Sequence, residues 1–224
     1  MIAILAVAQQ PPGPAPRVVT PHGAGGAPSD AVVLFDGTST ARWTTRDGQA
    51  SRCTVEAGAM VCTSGVGDMY STVKHGDAQI HVEFAPPEMP GHKGQLRGNS
   101  GVYLQGRYEV QVLDSFENPT YVTGMLGALY GQAAPLVNAA RKPGEWQSYD
   151  IIFRAHRCDA QGAVIQNGTL TVLLNGVLVQ DHITNKDTKG GCGDGPLMFQ
   201  DHSGFKNAPV TAMKFRNVWF RPLN

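Results

Sequence analysis

From Val32 onward the chain alternates apolar and polar residues with a period of two, in short runs broken by turn residues. Ala78, Ile80, Val82 and Phe84 alternate with Gln79, His81 and Glu83. Tyr108, Val110 and Val112 alternate with Glu109 and Gln111, and Tyr149, Ile151 and Phe153 with Asp150 and Arg154. Successive side chains of a strand point to opposite faces, so each run predicts a strand with one buried and one open face. Leu170, Val172 and Leu174 lead into Asn175-Gly176, a pair that tolerates positive φ and marks a hairpin, and Val177 and Val179 follow. No window shows a capped helical period, and no internal repeat is present. Many antiparallel strands without a strand–helix rhythm predict an all-β sandwich of two antiparallel sheets with few short helices, over residues 31–224. Such sheets leave one face for solvent or ligand.

Lys+Arg and Asp+Glu balance at 18 each, which gives no general attraction for nucleic acid or anionic lipid. Ile2 to Ala8 form an apolar run ending in the small-x-small pattern Ala6-Val7-Ala8, so residues 1–8 read as the remnant of a signal peptide without its basic start. The run is too short to span a bilayer. Residues 9–30, rich in Pro, Gly and Ala, read as a flexible tether. In the stretch Cys53 to Cys62, a two-residue turn at Ala57-Gly58 pairs Glu56 with Ala59 and, counting outward, Cys53 with Cys62. Cys158 and Cys192, both in loop-like segments, form the natural second disulfide; the alternative, a zinc site, lacks any Cys-x-x-Cys spacing. Two disulfides and an export signal predict a secreted or periplasmic protein, in a bacterium.

The segment Arg97 to Ser115 holds the densest chemistry. Two strands meet at Gln105-Gly106. Tyr103 offers an apolar ring with a hydroxyl, suited to stacking on sugar. Glu109 and Gln111 share a strand face about 7 Å apart. Asp114 joins that face only if a β-bulge intervenes. The pattern alone leaves open that Glu109 and Asp114 are solvated strand residues.

The blocks Gly98-Asn99-Ser100-Gly101-Val102-Tyr103-Leu104-Gln105 and Arg107-Tyr108-Glu109-Val110-Gln111-Val112-Leu113-Asp114-Ser115 resemble the central signature of the 3-keto-disaccharide hydrolase domain family. Leu34-Phe35-Asp36-Gly37, Glu83-Phe84, Gly127-Ala128-Leu129-Tyr130-Gly131 and Gly144-Glu145-Trp146 are similar to further blocks of that family. So are Asn175-Gly176-Val177-Leu178-Val179, Leu197-Met198-Phe199-Gln200-Asp201-His202 and Phe215-Arg216-Asn217-Val218-Trp219. The resemblance implies a concanavalin A-like jelly roll. Glucanases of that fold carry Glu-x-Asp-x-x-Glu, where this chain has Glu109-x-Gln111-x-x-Asp114. An amide in the middle and a shorter last carboxylate argue against a conventional retaining glucanase.

The family resemblance implies cleavage of glycosides oxidised to a ketone at C3. That ketone acidifies the C2 proton, so a base forms an enolate and the C1 aglycone leaves by elimination. The site then needs a base, donors for the enolate and an acid for the leaving oxygen. Glu83, Glu109 and His202 are the expected acid–base residues. Arg97, Asn99, Tyr103, Gln111, Asp114 and Tyr130 are the expected substrate-binding residues. Glu83, Glu109 and His202 together would also accommodate a divalent cation, although no compact ligand spacing demands one. Trp146 reads as a core anchor or a sugar platform. A carbohydrate-binding module without turnover, on the same face, is the competing function.

Overall fold

The computed structural model describes residues 13, 15–21, 26–204 and 207–223. The expected signal-peptide remnant, residues 1–8, lies outside them. Among the described residues fifteen strands form: β1 Val32–Phe35, β2 Trp43–Thr44, β3 Thr54–Glu56, β4 Ala59–Thr63, β5 Met69–His75, β6 Ala78–Ala85, β7 Asn99–Leu104 and β8 Tyr108–Leu113. They continue with β9 Gln147–Arg154, β10 Arg157–Cys158, β11 Val164–Gln166, β12 Thr169–Leu174, β13 Val177–Thr184, β14 Gly195–Phe199 and β15 Ala212–Pro222. From Val32 onward, helical structure among the described residues is confined to the single 3-10 turns Gly94–Leu96, Val122–Gly124 and His202–Gly204.

Two antiparallel sheets carry the fold, in a jelly-roll sandwich. One has eight strands in the order β13-β12-β9-β6-β15-β4-β3, with β1 also paired to β15; the other has five, β2-β5-β14-β7-β8. The alternation read from the sequence sorts β6, β8 and β9 as expected. Ala78, Ile80, Val82 and Phe84 of β6 are fully buried, as are Tyr149, Ile151 and Phe153 of β9 and Val110 and Val112 of β8. The sheets meet through aromatic stacking. Phe199 of β14 lies flat on Phe215 of β15 at 3.9 Å between centroids, and Trp43 stacks on Phe199 at 4.5 Å. Tyr149 crosses the core from the eight-stranded sheet, and its hydroxyl donates to the Gln111 carbonyl at 2.5 Å.

The hairpins follow their turn residues. Gln105 and Gly106, joining β7 to β8, have φ of 54° and 66°, and Asn175 and Gly176, joining β12 to β13, have 53° and 79°. Consecutive left-handed residues give the turn whose twist matches the strands. β3 and β4 pair Glu56 with Ala59 around Ala57-Gly58, and Cys53–Cys62 closes the hairpin. Cys158–Cys192 is the second disulfide, so all four cysteines are bonded as expected.

The described part of segment 9–30 lies against the eight-stranded sheet. Ala27 is buried, Ser29 N–H donates to Thr20 O, and Asp30 pairs with Arg17 and with Arg221 at 2.7 Å.

A cross-link stabilises roughly with the logarithm of the loop it closes. Converting Cys158 and Cys192 to Ser opens a separation of 34 residues and lowers unfolding free energy by about 4 kcal/mol; the same change at Cys53 and Cys62, a separation of 9, removes about 2.5 kcal/mol. Urea unfolding of the two variants checks the order, and a larger loss from the shorter loop contradicts it.

Candidate active site

β7 and β8 pair in unbroken register, with Gly101 opposite Gln111 and Tyr103 opposite Glu109. Ser100, Val102 and Leu104 point into the core with Tyr108, Val110 and Val112. Asn99, Gly101 and Tyr103 therefore share the outer face of the five-stranded sheet with Glu109 and Gln111. A cleft of about 340 Å³ opens there, lined by Gln95, Leu96, Asn99, Tyr103, Glu109, Gln111, Tyr121, Tyr130, Gln200 and His202.

The free edge of β8 is covered by chain rather than left open, as sheet edges demand. Gln111 N–H donates to Ala128 O, Gly127 N–H to Gln111 O, and Tyr130 N–H to Glu109 O. This pairing sets Tyr130 beside Glu109. The Tyr130 and Tyr121 hydroxyls are 2.6 Å apart and their rings stand edge to face. Their rings are 41% and 48% exposed, an aromatic surface at the cleft mouth.

Glu109 is the centre of the arrangement. The Tyr103 hydroxyl donates to its Oε2 at 2.8 Å, and Gln200 Nε2 donates to the Tyr103 oxygen at 3.2 Å. The phenol proton is thereby aimed at the carboxylate. Burial pushes the Glu109 carboxyl up to about 7, against the opposing effect of the Tyr103 hydrogen bond. Burial also raises the Tyr103 phenol, aided by the Glu109 charge. Gly101 makes the geometry possible: a Cβ there would stand 2.5 Å from Glu109 Oε1 and 2.7 Å from the Tyr103 ring. His202 lies in the turn following β14, and burial lowers its pKa despite neighbouring Asp201. Burial thus favours its neutral imidazole. The Asp201 carboxylate is committed to backbone, accepting from Gly65, Gly67 and Ser203 N–H groups.

Six of the nine expected site residues thus meet in one cleft: Asn99, Tyr103, Glu109, Gln111, Tyr130 and His202. Three lie elsewhere. Without a bulge in β8, Asp114 does not fall on the Glu109 row; it is buried and ion-paired with Arg97 at 3.1 Å. Arg97 Nη1 also donates to Phe116 O, so this pair pins the loop after β8 instead of facing the cleft. Burial raises the Asp114 pKa, and Arg97 opposes it.

Glu83 is the largest departure. It sits on the outer face of the eight-stranded sheet, the far side of the sandwich, because β6 buries its even-numbered residues. A bulge in β15 at Asn217, φ 47°, brings Arg216 Nε to Glu83 Oε2 at 2.6 Å and Asn217 Nδ2 to Oε1 at 3.0 Å. The His81 cation, 3.8 Å away as an ion pair, and then the Asn217 and Arg216 hydrogen bonds hold Glu83 down at about 2. Burial works against the charge on His81, but Asp150 at 2.7 Å and Glu83 keep it raised, to about 9. Trp146 is on this side too, half-buried beneath Arg216 at 4.0 Å. Glu83, Glu109 and His202 are therefore not one ligand set, and among the described residues no three His, Cys, Asp or Glu side chains are grouped to hold a metal ion.

Sequence reasoning missed Gln95, Leu96, Tyr121 and Gln200. Gln200 follows β14 directly and was recoverable from the alternation that places Met198 outward; the other three sit in turns without a period.

The 3-keto-alpha-glucoside-1,2-lyase-like domain matches residues 30–221. Among solved structures, a candidate glycosyl hydrolase from Parabacteroides distasonis is 41% identical, with a TM-score of 0.88 over 96% of this chain and 94% of that one. A second candidate glycosyl hydrolase from the same organism is 20% identical, with a TM-score of 0.65 over 87% and 94%. Crh5 transglycosylase in complex with NAG shares the fold at 14% identity, with a TM-score of 0.52 over 88% and 85%. No curated protein matches the chain.

A carboxyl raised from 4.5 to about 7 loads the fold with a pH-dependent cost. The unfolded chain releases this proton near 4.5 and the folded one near 7. The stabilising share is thus complete below 4.5 and lost as pH rises through 7. Above that the loss is on the order of 3 kcal/mol. Glu109→Gln therefore stabilises the protein by about that amount near pH 8, with the gain vanishing below about pH 4.5. Urea unfolding at the two pH values checks this, and a variant no more stable at pH 8 contradicts it.

Proposed function

Because the chain belongs to the 3-keto-alpha-glucoside-1,2-lyase-like domain family, we propose that the Glu109 cleft cleaves glycosides carrying a ketone at C3. Membership and the 41% identical candidate glycosyl hydrolase support a carbohydrate-active hydrolase. One observation carries the finer reading: among the described residues lining the cleft, Glu109 is the lone carboxylate. Hydrolysis through an oxocarbenium ion uses two carboxyl groups flanking the bond. Elimination from a 3-keto sugar needs one base.

Glu109 takes the C2 proton, and the C–H electron pair forms an enolate with its charge on the C3 oxygen. Neutral His202 and the Tyr121–Tyr130 hydroxyls are the polar groups in place to donate to that oxygen. As the ketone re-forms, the C1–O bond breaks, a C1–C2 double bond remains, and the electron pair leaves on the aglycone oxygen. Protonated Glu109, with a pKa of about 7, is matched to return a proton to that oxygen. Water adding across C1 and C2 completes net hydrolysis. The two disulfides support work in an oxidising compartment, outside the cytoplasm.

The test is turnover of a 3-keto-glucoside beside its unoxidised parent. The keto form is cleaved, deuterium at C2 slows it, and Glu109→Gln lowers kcat by about 10²- to 10⁴-fold with binding much less affected. Equal cleavage of the parent, or near-normal turnover by the Gln variant, refutes the reading. The exposed tyrosine pair favours one competitor, a non-catalytic sugar-binding module, which predicts binding without turnover of either sugar.

A further inference from the structure

The alternation of β7 offers Tyr103 to the substrate as a ring with a hydroxyl, but in the cleft that hydroxyl is engaged within the protein. It donates to Glu109 Oε2 at 2.8 Å and accepts from Gln200 Nε2 at 3.2 Å. A phenol has one proton to give. With Gln200 donating to its oxygen, that proton is directed at Glu109, and the three side chains form a one-way chain ending on the carboxylate. Gln200 follows β14, Tyr103 stands on β7 and Glu109 on β8, so the sheet order β14-β7-β8 sets the order of the chain. Burial, and then the Glu109 charge, raise the Tyr103 phenol, so it keeps its proton across the neutral range.

The two oxygens of Glu109 are thereby made unequal. Oε2 is held by the phenol. Oε1 has no hydrogen-bond partner among the described residues, and it lies over Gly101, where a Cβ would stand 2.5 Å from it. A side chain at position 101 would fill the space before that oxygen, and glycine leaves it open.

We infer that Tyr103 is a positioning residue: its hydroxyl engages Glu109 Oε2 and so leaves Oε1 as the one oxygen that exchanges protons with the substrate. This rests on the role of base proposed for Glu109 and adds what aims it. As the C2–H bond breaks, its electron pair stays with the sugar as the enolate and the proton forms its new bond to Oε1. Oε2 already accepts from the phenol, so the proton held by Glu109 faces the substrate it came from. The same hydrogen bond favours the ionised carboxyl and opposes the burial that lifts Glu109 to about 7. No other group around Glu109 does this. Tyr130 and Tyr121, beside the β8 edge, bond each other, and Tyr149, crossing the core, donates to a backbone carbonyl. After β14, burial favours neutral His202, and Asp201 is tied to backbone N–H groups. Asp68, ahead of β5, raises the Tyr103 phenol further, and among the described residues no Lys or Arg lines the cleft.

Tyr103→Phe keeps the ring and removes the hydroxyl. Carboxyl carbon-13 NMR of the substrate-free variant shows the Glu109 midpoint raised by about one pH unit, because the bond that favours its charge is gone. Gln200→Met leaves the phenol in place but frees its proton to turn, and moves the midpoint the same way by less. On a 3-keto-glucoside, Tyr103→Phe shifts the acid limb of kcat/KM upward by the same amount as the NMR midpoint. It lowers kcat on the alkaline plateau by about tenfold, with KM changed by less than about threefold. A hydroxyl that binds sugar would instead raise KM and leave the acid limb in place. One that only packs would lower the urea midpoint and leave the Glu109 titration unmoved. Either result overturns the inference, as does a Gln200→Met midpoint equal to that of the wild type. Absence of turnover by the wild-type protein overturns the proposed reaction instead, and the NMR midpoints of the free protein then decide whether Tyr103 holds Glu109.

Discussion

Two sheets packed face to face leave each strand two kinds of position, and that constraint decides what can meet in this protein. Phe199 against Phe215 marks the plane where the sheets join. Side chains of the other parity point away from that plane, to one side of the molecule or to the opposite one. Layers of this type lie about 10 Å apart before the side chains are counted. Polar residues from different sheets therefore do not share a site unless a loop carries them round. Glu109, Tyr103, Gln111 and Asn99 lie together because β7 and β8 are neighbours in one sheet. His202 and Gln200 join them through the turn after β14, the strand on the other side of β7.

Within that frame the Glu109 carboxyl is set apart by withholding solvent and charge. The missing Cβ of Gly101 gives room for the Glu109 carboxylate and the Tyr103 ring, and the 127–130 segment closes the strand edge beside them. Glu83 shows the opposite treatment of the same residue type. Paired with Arg216, Asn217 and His81, it is held as a carboxylate at about 2, too weak a base for proton abstraction near neutrality. One acid is raised by burial and one lowered by partners, and only the first is suited to exchange protons near pH 7.

Much of this was legible in the sequence for a physical reason. Period two assigns faces within a strand, so the Glu109–Gln111 row, the Asn175-Gly176 hairpin and the Cys53–Cys62 pairing could be counted out residue by residue. Period two does not say which sheet a strand joins. Glu83 was expected beside Glu109 because the Glu83-Phe84 block resembles a block of the family, yet β6 and β8 belong to different sheets. Asp114 lost its place for want of a bulge that no residue pattern demanded. Gln95 and Tyr121 lie in single 3-10 turns or beside them, where no period exists and only tertiary packing sets direction.

The cleft follows from the fold as a row of polar side chains on β7 and β8, an aromatic rim and one carboxyl poised between its two forms. The role of base proposed for Glu109 depends on that poise more than on any other feature. Titration of Glu109 by carboxyl carbon-13 NMR, assigned by difference from Glu109→Gln, measures it directly. The account predicts a midpoint at about 7 in the folded protein. A midpoint near the unperturbed value of about 4.5 would mean a solvated strand carboxylate, and would contradict it.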